Sequence, residues 1–246
     1  MRHLLLVTVV VLGVLGGATA SEALLISGSS GSLAASADFS VSGTNLIVTL
    51  TNTSAADVTM PSEVLTAIFF DIVGAGPLSP VSALLGTGST VLYDPDGQPA
   101  GDNVGGEWAY AAGLVGAPAG ATEGISSSGF GLFGDYNFNG PDLSPPAALN
   151  GVNYGLLSAG DDPTTGNGGL TNSGGLIKNQ VIFTLSGLPT GFVLSEASIQ
   201  NFSFQYGTKL TEPNIRVPVP ATLTLLGLGL LGMAVYGALR RATPSP

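Results

Sequence analysis

The sequence predicts an all-β protein, with one antiparallel β-sandwich or jelly-roll-like domain between two apolar terminal segments. Glycine and proline are frequent, at 37 and 16 of 246 residues. They recur too often for long helices, and no internal segment keeps a 3.6-residue apolar period. Apolar and polar residues instead alternate in short runs separated by turn-forming residues, which is typical of half-buried strands. Many short strands with turn-rich connections favour two packed antiparallel sheets.

The first element is a predicted signal peptide over residues 1–20. A short basic start precedes an apolar run, Leu4 to Gly17, and Ala18 and Ala20 form the small-residue pattern that signal peptidase accepts. A membrane anchor is the alternative, but a spanning helix needs about 20 apolar residues. Cleavage after Ala20 would remove the sole histidine from a chain without cysteine. The mature protein would then lack His- and Cys-based nucleophiles, histidine zinc sites and disulfides.

Residues 33–52 predict a β-hairpin. In L-A-A-S-A-D-F-S-V, residues 33–41, apolar side chains alternate with Ser36, Asp38 and Ser40. S-G-T-N then turns the chain, and L-I-V-T-L-T-N, residues 46–52, repeats the alternation.

Four further strands are predicted along the chain. They are V-L-T-A-I-F-F-D-I from Val64, T-V-L-Y from Thr90, N-Q-V-I-F-T-L-S-G-L from Asn179 and N-F-S-F-Q-Y-G from Asn201. In the last strand, Phe202, Phe204 and Tyr206 alternate with Ser203 and Gln205, so one aromatic row is expected to pack inward.

The segment from Gly140 to Gly175 predicts loops, because glycine, proline, asparagine and serine dominate it. Strong strand patterns lie on both sides without a clear linker. We therefore expect residues 21–211 to form one domain, followed by a spacer and proline motif over residues 212–220.

The charge distribution is strongly acidic. All sixteen acidic residues lie between Glu22 and Glu212, where only Lys178 and Lys209 are basic, a net charge of −14. Such a surface repels nucleic-acid phosphates and anionic lipid headgroups. We therefore expect no nucleic-acid partner.

Residues 221–239 predict a transmembrane helix. These 19 residues carry no charge, and as a helix they would be about 28 Å long, close to the ~30 Å of a bilayer core. A buried core helix is the alternative, but leucine, glycine and alanine occupy every face. Arg240 and Arg241 begin the basic tail, residues 240–246, and the positive-inside bias predicts that they stay in the cytoplasm with the domain outside.

The residues before this helix form a proline motif. Pro218 and Pro220 cannot continue a helix, and each favours an extended conformation at the preceding valine, Val217 or Val219. An extended peptide at the outer membrane surface is the form that a processing enzyme binds.

The tail V-P-V-P-A-T, followed by the L-L-G-L-G-L-L-G core and paired arginines, resembles the PEP-CTERM sorting signal of Gram-negative bacteria. The resemblance covers Val217 to Arg241, with Val219 where the family usually has glutamate. It implies that Val217, Pro218, Val219, Pro220 and Ala221 form the sorting motif. It also implies that a membrane protease, exosortase, cuts near Pro218 to Pro220, so that the domain reaches the cell surface or the exopolysaccharide matrix.

Two other interpretations of the tail remain open. A plain single-pass anchor needs only the helix and the arginines. A eukaryotic lipid-anchor signal also has a hydrophobic tail, but does not normally end in R-R-A-T-P-S-P.

One short segment suggests calcium, the single candidate cofactor. D-Y-N-F-N-G, residues 135–140, resembles the opening of a calcium loop, in which the oxygens of Asp135, Asn137 and Asn139 converge on one ion. Pro146 stands where such a loop has its closing glutamate, and only Asp142 can replace that ligand. The alternative is an Asx-rich turn whose side chains bond their own backbone.

Other carboxylates suggest weaker sites. Glu107 beside Trp108 is the candidate for a carboxylate glycosidase, with the indole as a sugar platform, since that chemistry needs two acids about 5–10 Å apart. The alternative is a strand with a core aromatic and a surface acid. Asp161 and Asp162, before a proline, predict a solvated turn rather than a metal site.

These observations favour a non-enzymatic exported protein that is held in the inner membrane, processed, and then located at the cell surface or in the matrix. Its expected partners are signal peptidase, an exosortase-type protease and exopolysaccharide. A secreted module that binds calcium or glycans is the second hypothesis, and a glycosidase is the third.

Overall fold

The computed structural model describes residues 23–93, 101–134, 136–143, 151–172 and 174–218. The predicted signal peptide, transmembrane helix and basic tail lie outside these residues. The described part is built from thirteen strands, one four-residue α-helix and four short 3₁₀ segments. The strands are β1 (Leu24–Ser30), β2 (Leu33–Ser42), β3 (Asn45–Asn52), β4 (Leu65–Ile72), β5 (Ser79–Leu85), β6 (Thr90–Leu92), β7 (Ala109–Ala112), β8 (Glu123–Ser126), β9 (Leu156–Leu157), β10 (Leu176–Lys178), β11 (Gln180–Ser186), β12 (Ile199–Tyr206) and β13 (Asn214–Arg216). The helix is α1 (Gly168–Thr171), and the 3₁₀ segments are Pro61–Glu63, Gly105–Glu107, Pro118–Gly120 and Glu196–Ser198.

The strands form two sheets, which confirms the predicted all-β class. The first sheet has five strands in the order β1-β2-β3-β11-β5. The second follows the order β13-β12-β4-β9-β10-β6, with β8 beside β4 and β7 beside β8. All of this pairing is antiparallel except between β9 and β10, which are parallel over two residue pairs.

The predicted hairpin is present as β2 and β3. Val41 pairs with Leu46 across the turn, and the register continues without a shift to Ala35 opposite Asn52. Every second residue is buried along β3, and Ala35, Ala37 and Phe39 are buried on β2. The strict alternation fixes the register, because a shift by one residue would expose the whole apolar row.

The two sheets pack face to face around an aromatic core. Phe39 of the first sheet makes edge-to-face contacts with Phe70 and Phe202 of the second, at centroid distances of 5.7 and 5.9 Å. Pairs of this kind contribute about 0.5–1.5 kcal/mol beyond the burial of their area. The arrangement is sandwich-like, with the inner faces of both sheets forming one cluster.

The second sheet differs from the predicted alternation because it is buried on both faces. Phe202, Phe204 and Tyr206 are buried as expected, but Ser203 and Gln205 between them are buried too. The chain after β12 folds back over that face. The Gln205 amide nitrogen there donates to carbonyl oxygens of the 206–213 loop, at distances between 2.8 and 3.3 Å.

A second apolar layer covers the outer face of β4. Phe69 packs against Phe133 at a centroid distance of 5.9 Å, and Ala109 and Ala111 of β7 belong to the same cluster. A strand that is covered on both faces is typically apolar along its whole length. The sequence of β4, L-T-A-I-F-F-D-I, is nearly so.

The segment from Gly140 to Gly175, for which the composition predicts loops, contains a strand and a short helix. Within residues 151–172, β9 joins the second sheet, and the side chains of Val152, Tyr154 and Leu170 are buried. Asn167 caps α1, where its side chain accepts a hydrogen bond from Gly169 N–H at 2.9 Å. Val152 and Leu170 belong to a third small apolar cluster and Tyr154 to the main core, so isolated apolar residues anchor this segment to the domain.

The predicted spacer at residues 212–220 also contains a strand. Asn214 to Arg216 form β13, which pairs antiparallel with β12, and Ile215 is buried. Val217 N–H then donates to the carbonyl oxygen of Phe202 at 3.0 Å. The folded domain thus extends beyond residue 211 and continues directly into the proline motif.

Candidate functional site

The start of the proline motif lies beside the first strand. Gly28 of β1 is in close contact with the second sheet, since a Cβ built on it would lie 2.9 Å from Ile215 Cγ2 and 3.0 Å from Val217 Cγ2. The two ends of the described chain therefore meet at one edge of the sandwich. Val219, Pro220 and Ala221 of the motif lie outside the described residues, as do Ala18, Ala20, Arg240 and Arg241.

A shallow apolar groove runs along this edge. It has a volume of about 200 Å³, and we call it the β1 groove. Its lining includes Leu24, Ile26, Ile199, Phe202 and Val217, with Glu196 and Pro218 also contributing. Among the residues in this groove, Glu196 is the one that carries a charge.

The predicted calcium loop is only partly described, because Asp135 lies outside the described residues. Asn137 Nδ2 donates to the carbonyl oxygen of Gly106, and Asn139 Nδ2 donates to that of Val81 at 3.1 Å. Both amides thus bind other segments of the chain, not their own turn. Phe138 between them is buried in the core. The calcium hypothesis stays a prediction, while the structure gives Asn137 and Asn139 a role in fixing this segment.

In residues 23–93, 101–134, 136–143, 151–172 and 174–218, no group of three His, Cys, Asp or Glu side chains is placed to hold a metal ion. Asp142 is exposed.

No helix within the described residues has the length and apolarity needed to cross a membrane.

Glu107 and Trp108 do not form the predicted sugar platform. Trp108 is fully buried, and its ring lies 4.8 Å from that of Phe183, so no indole face is open to a ligand. Glu107 is also buried, and its Oε1 accepts a hydrogen bond from Leu143 N–H. The acid therefore ties the 141–143 segment to the domain, and it is not the surface acid of the alternative interpretation either.

Asp161 differs from the predicted solvated turn. Its side chain is buried, Oδ1 accepts from Val58 N–H at 3.1 Å, and burial raises its pKa. Asp57 lies beside it and accepts from Thr165 Oγ1 and from Asp162 N–H, so hydrogen bonding lowers the pKa of Asp57. The pair joins the loop after β3 to the loop after β9.

The carboxyl of Glu123 on β8 is strongly perturbed, and no sequence pattern singles it out. It is buried, and its Oε2 accepts a hydrogen bond from the Tyr110 hydroxyl of β7 at 2.9 Å. The same hydroxyl accepts from Leu78 N–H at 3.3 Å. Burial, with the neighbouring Asp71 charge, raises the pKa of Glu123 to about 7. In the sequence, Glu123 lies in the short run E-G-I-S. Nothing in this run predicts that the glutamate is buried, because the neighbouring strands β4 and β7 bury it.

We predict that Glu123 makes the protein less stable as the pH rises. The pKa of Glu123 is about 7 in the folded protein and 4.5 in the unfolded chain. Its stabilising contribution to the free energy of unfolding is therefore fully present below pH 4.5 and is lost as the pH rises through 7. After allowance for partial solvent screening, we expect a loss of about 2 kcal/mol between pH 5 and 8. Urea unfolding of Glu123→Gln should not show this loss.

The matched control is Glu196→Gln, which changes an exposed glutamate. It should keep the wild-type difference between pH 5 and pH 8. Parallel pH profiles for wild type and Glu123→Gln would contradict the assignment.

Comparison of the chain with protein-family models, curated proteins and solved structures gives no match.

Proposed function

We propose that this chain is an exported surface or matrix protein with a non-enzymatic structural or interaction role, delivered by a cleaved signal peptide and sorted through its C-terminal tail. The observation that carries the proposal is the order of elements in that tail. A proline motif at residues 217–221 leads into the 19 uncharged residues 221–239, which two arginines follow. The charge asymmetry supports an outward domain and a cytoplasmic end.

The geometry of the domain supports this topology. Because Leu24 to Ser27 and Val217 to Pro218 line the same groove, the start of the domain after signal-peptide cleavage and the start of the C-terminal tail would lie at one edge of the sandwich. A domain attached in this way stands on the membrane by that edge and presents its other faces outward. The short step from β13 to Pro218 would keep the cleavage motif close to the bilayer.

The composition supports the non-enzymatic part of the proposal. Residues 21–246 contain neither histidine nor cysteine, so the commonest general base and the commonest thiol nucleophile are absent. The domain's net charge of −14 between Glu22 and Glu212 favours neutral polysaccharide over nucleic acid as a neighbour.

A topology reporter tests the proposal. We expect a reporter fused after Pro246 to be cytoplasmic in an unprocessed chain, and one inserted after Gly191, in an exposed turn of the domain, to be outside. Arg240 and Arg241 supply the positive-inside signal, so replacing both with glutamate should weaken that preference. A fusion after Pro246 that reports from outside the inner membrane would overturn the delivery scheme.

A further inference from the structure

Both ends of the described chain lead to one end of the sandwich. β13 runs antiparallel to β12, so the chain leaves β13 toward Ile199, where β12 begins. β1 begins at Leu24, which pairs with Phe39 near the β2–β3 turn. Residues 73–78 and 187–195 connect the two sheets at this same end, since β4 and β11 both end there. We call these two connections the tail-side loops.

The tail-side loops pack against each other. Val73 N–H donates to the carbonyl oxygen of Ser198 at 2.8 Å, and a Cβ built on Gly74 would lie 3.7 Å from Phe192 Cε2. The side chains of Val73 and Val193 stay at the surface, where they are 49% and 76% exposed. Two aliphatic side chains therefore project from a packed base.

The tail-side loops also carry no charge. Their sequences, V-G-A-G-P-L and G-L-P-T-G-F-V-L-S, contain no acidic or basic residue. The loops at the opposite end of the sandwich carry acidic side chains instead, namely Asp57, Glu63, Asp161, Asp162 and Glu212. The acidic loops of the domain thus lie at the end away from the tail.

The length of the chain after β13 limits what the tail-side loops can face. The described chain ends at Pro218, and the uncharged segment that we assign to the membrane begins at residue 221. Three residues span at most about 11 Å, and each headgroup region of a bilayer is about 5–8 Å thick. Under the proposed function, so short a tether keeps even a weak contact with lipid occupied. Uncharged loops with exposed valines suit that surface, whereas anionic headgroups would repel the acidic loops.

We propose that the tail-side loops contact the outer headgroup region of the bilayer, so that Val73 and Val193 reach its apolar boundary and the acidic end points outward. The inference rests on the proposed function, since the tail must cross the membrane, and it adds which loops meet the lipid. Glu196, which follows the second loop, is exposed. A charge is costly inside the hydrocarbon layer, so Glu196 limits the contact to the headgroup depth.

Lipid quenching tests the contact, because the chain contains no cysteine and a single one can carry a fluorophore. The full chain, expressed with its signal peptide and purified from the inner membrane, is reconstituted into phosphatidylcholine vesicles that contain spin-labelled lipid. Thr190→Cys places the fluorophore on the second loop. Thr53→Cys is the matched control, an exposed threonine at the other end of β3, about 25 Å away. We expect a headgroup label to quench the Thr190 probe several-fold more than the Thr53 probe.

Charged variants identify the side chains that make the contact. Adding Val73→Asp and Val193→Asp to Thr190→Cys should lower its quenching to the level of the Thr53 probe. Met60→Asp changes a residue that is 45% exposed at the opposite end, so it should leave the quenching unchanged. Quenching that the two valine substitutions do not lower would overturn the proposal.

A probe at Leu230→Cys, within the apolar segment, separates this inference from the proposed function. Quenching of the Leu230 probe by a label deep in the bilayer, with no more quenching at Thr190 than at Thr53, would overturn the inference and leave the membrane tail intact. A Leu230 probe that the deep label does not quench would overturn the tail assignment and the inference together. Protection of the Thr190 probe from aqueous iodide without lipid quenching would place a protein partner on the loops and would also overturn the inference.

Discussion

Replacing Pro218 and Pro220 together with alanine is expected to lower removal of the C-terminal tail at least about tenfold. Proline resists a helical conformation by about 3 kcal/mol and holds the preceding residue extended. Without the two prolines, the predicted apolar helix can continue outward through Val217 to Ala221. Since 1.4 kcal/mol corresponds to a tenfold change in an equilibrium, the extended form should become at least about tenfold rarer. The measurement is the fraction of the protein that retains its tail, by immunoblot with a C-terminal tag.

Pro189→Ala provides the control for this double variant. Pro189 is exposed, and it lies in the loop after β11, so its replacement should leave processing at the wild-type level. Under a plain membrane anchor, neither variant would change the fraction with an intact tail. Equal processing of wild type and the Pro218→Ala/Pro220→Ala variant would therefore contradict the sorting interpretation.

Replacing Phe183 with alanine is expected to have the largest effect on folding. Phe183 is fully buried on β11, and its ring lies 4.8 Å from that of Trp108 and 5.4 Å from that of Phe138. These contacts attach two long connections, near residues 104–108 and 136–143, to the first sheet. Loss of a buried phenylalanine ring typically lowers the free energy of unfolding by about 3–5 kcal/mol, which urea unfolding measures.

Two further variants keep this prediction testable if Phe183→Ala does not fold. Phe183→Leu retains most of the apolar volume and should cost about 1–2 kcal/mol. Tyr136→Ala removes an aromatic ring that is 63% exposed, so it should change the free energy of unfolding by less than about 0.5 kcal/mol. A similar loss for Tyr136→Ala and Phe183→Ala would show that the aromatic cluster does not anchor the connections.

The strands that could be predicted from the sequence are those with one buried face. Alternation between Leu33 and Asn52 determines which side chains turn inward, and the structure has β2 and β3 in that register. The same reasoning missed the burial of Ser203 and Gln205, because their covering comes from the chain folding back after β12. Burial of the second face of a strand depends on distant segments of the chain. The alternation of apolar and polar residues within the strand does not reveal them.

In the candidate site too, features that are contiguous in the sequence could be proposed from it, whereas contacts between distant segments could not. The proline motif and the apolar tail are each contiguous in the sequence, so both could be proposed from it, and their role stays a prediction. The edge strand β1 was missed because serine and glycine weaken its alternation, and β13 was missed because three residues after a proline look like a spacer. Their proximity depends on the topology, which places the first and last strands at one edge. Glu123 was missed for the same reason, since its partner Tyr110 comes from the neighbouring strand.

The most direct test is mass spectrometry of the surface-associated protein from cells that produce the full chain. The sorting account predicts an N-terminus at Ser21 and a C-terminus within residues 217–221, with no peptides from the apolar segment or the arginines. Intact peptides spanning Leu223 to Arg241 in that surface form would contradict the account and leave a permanently anchored acidic β protein.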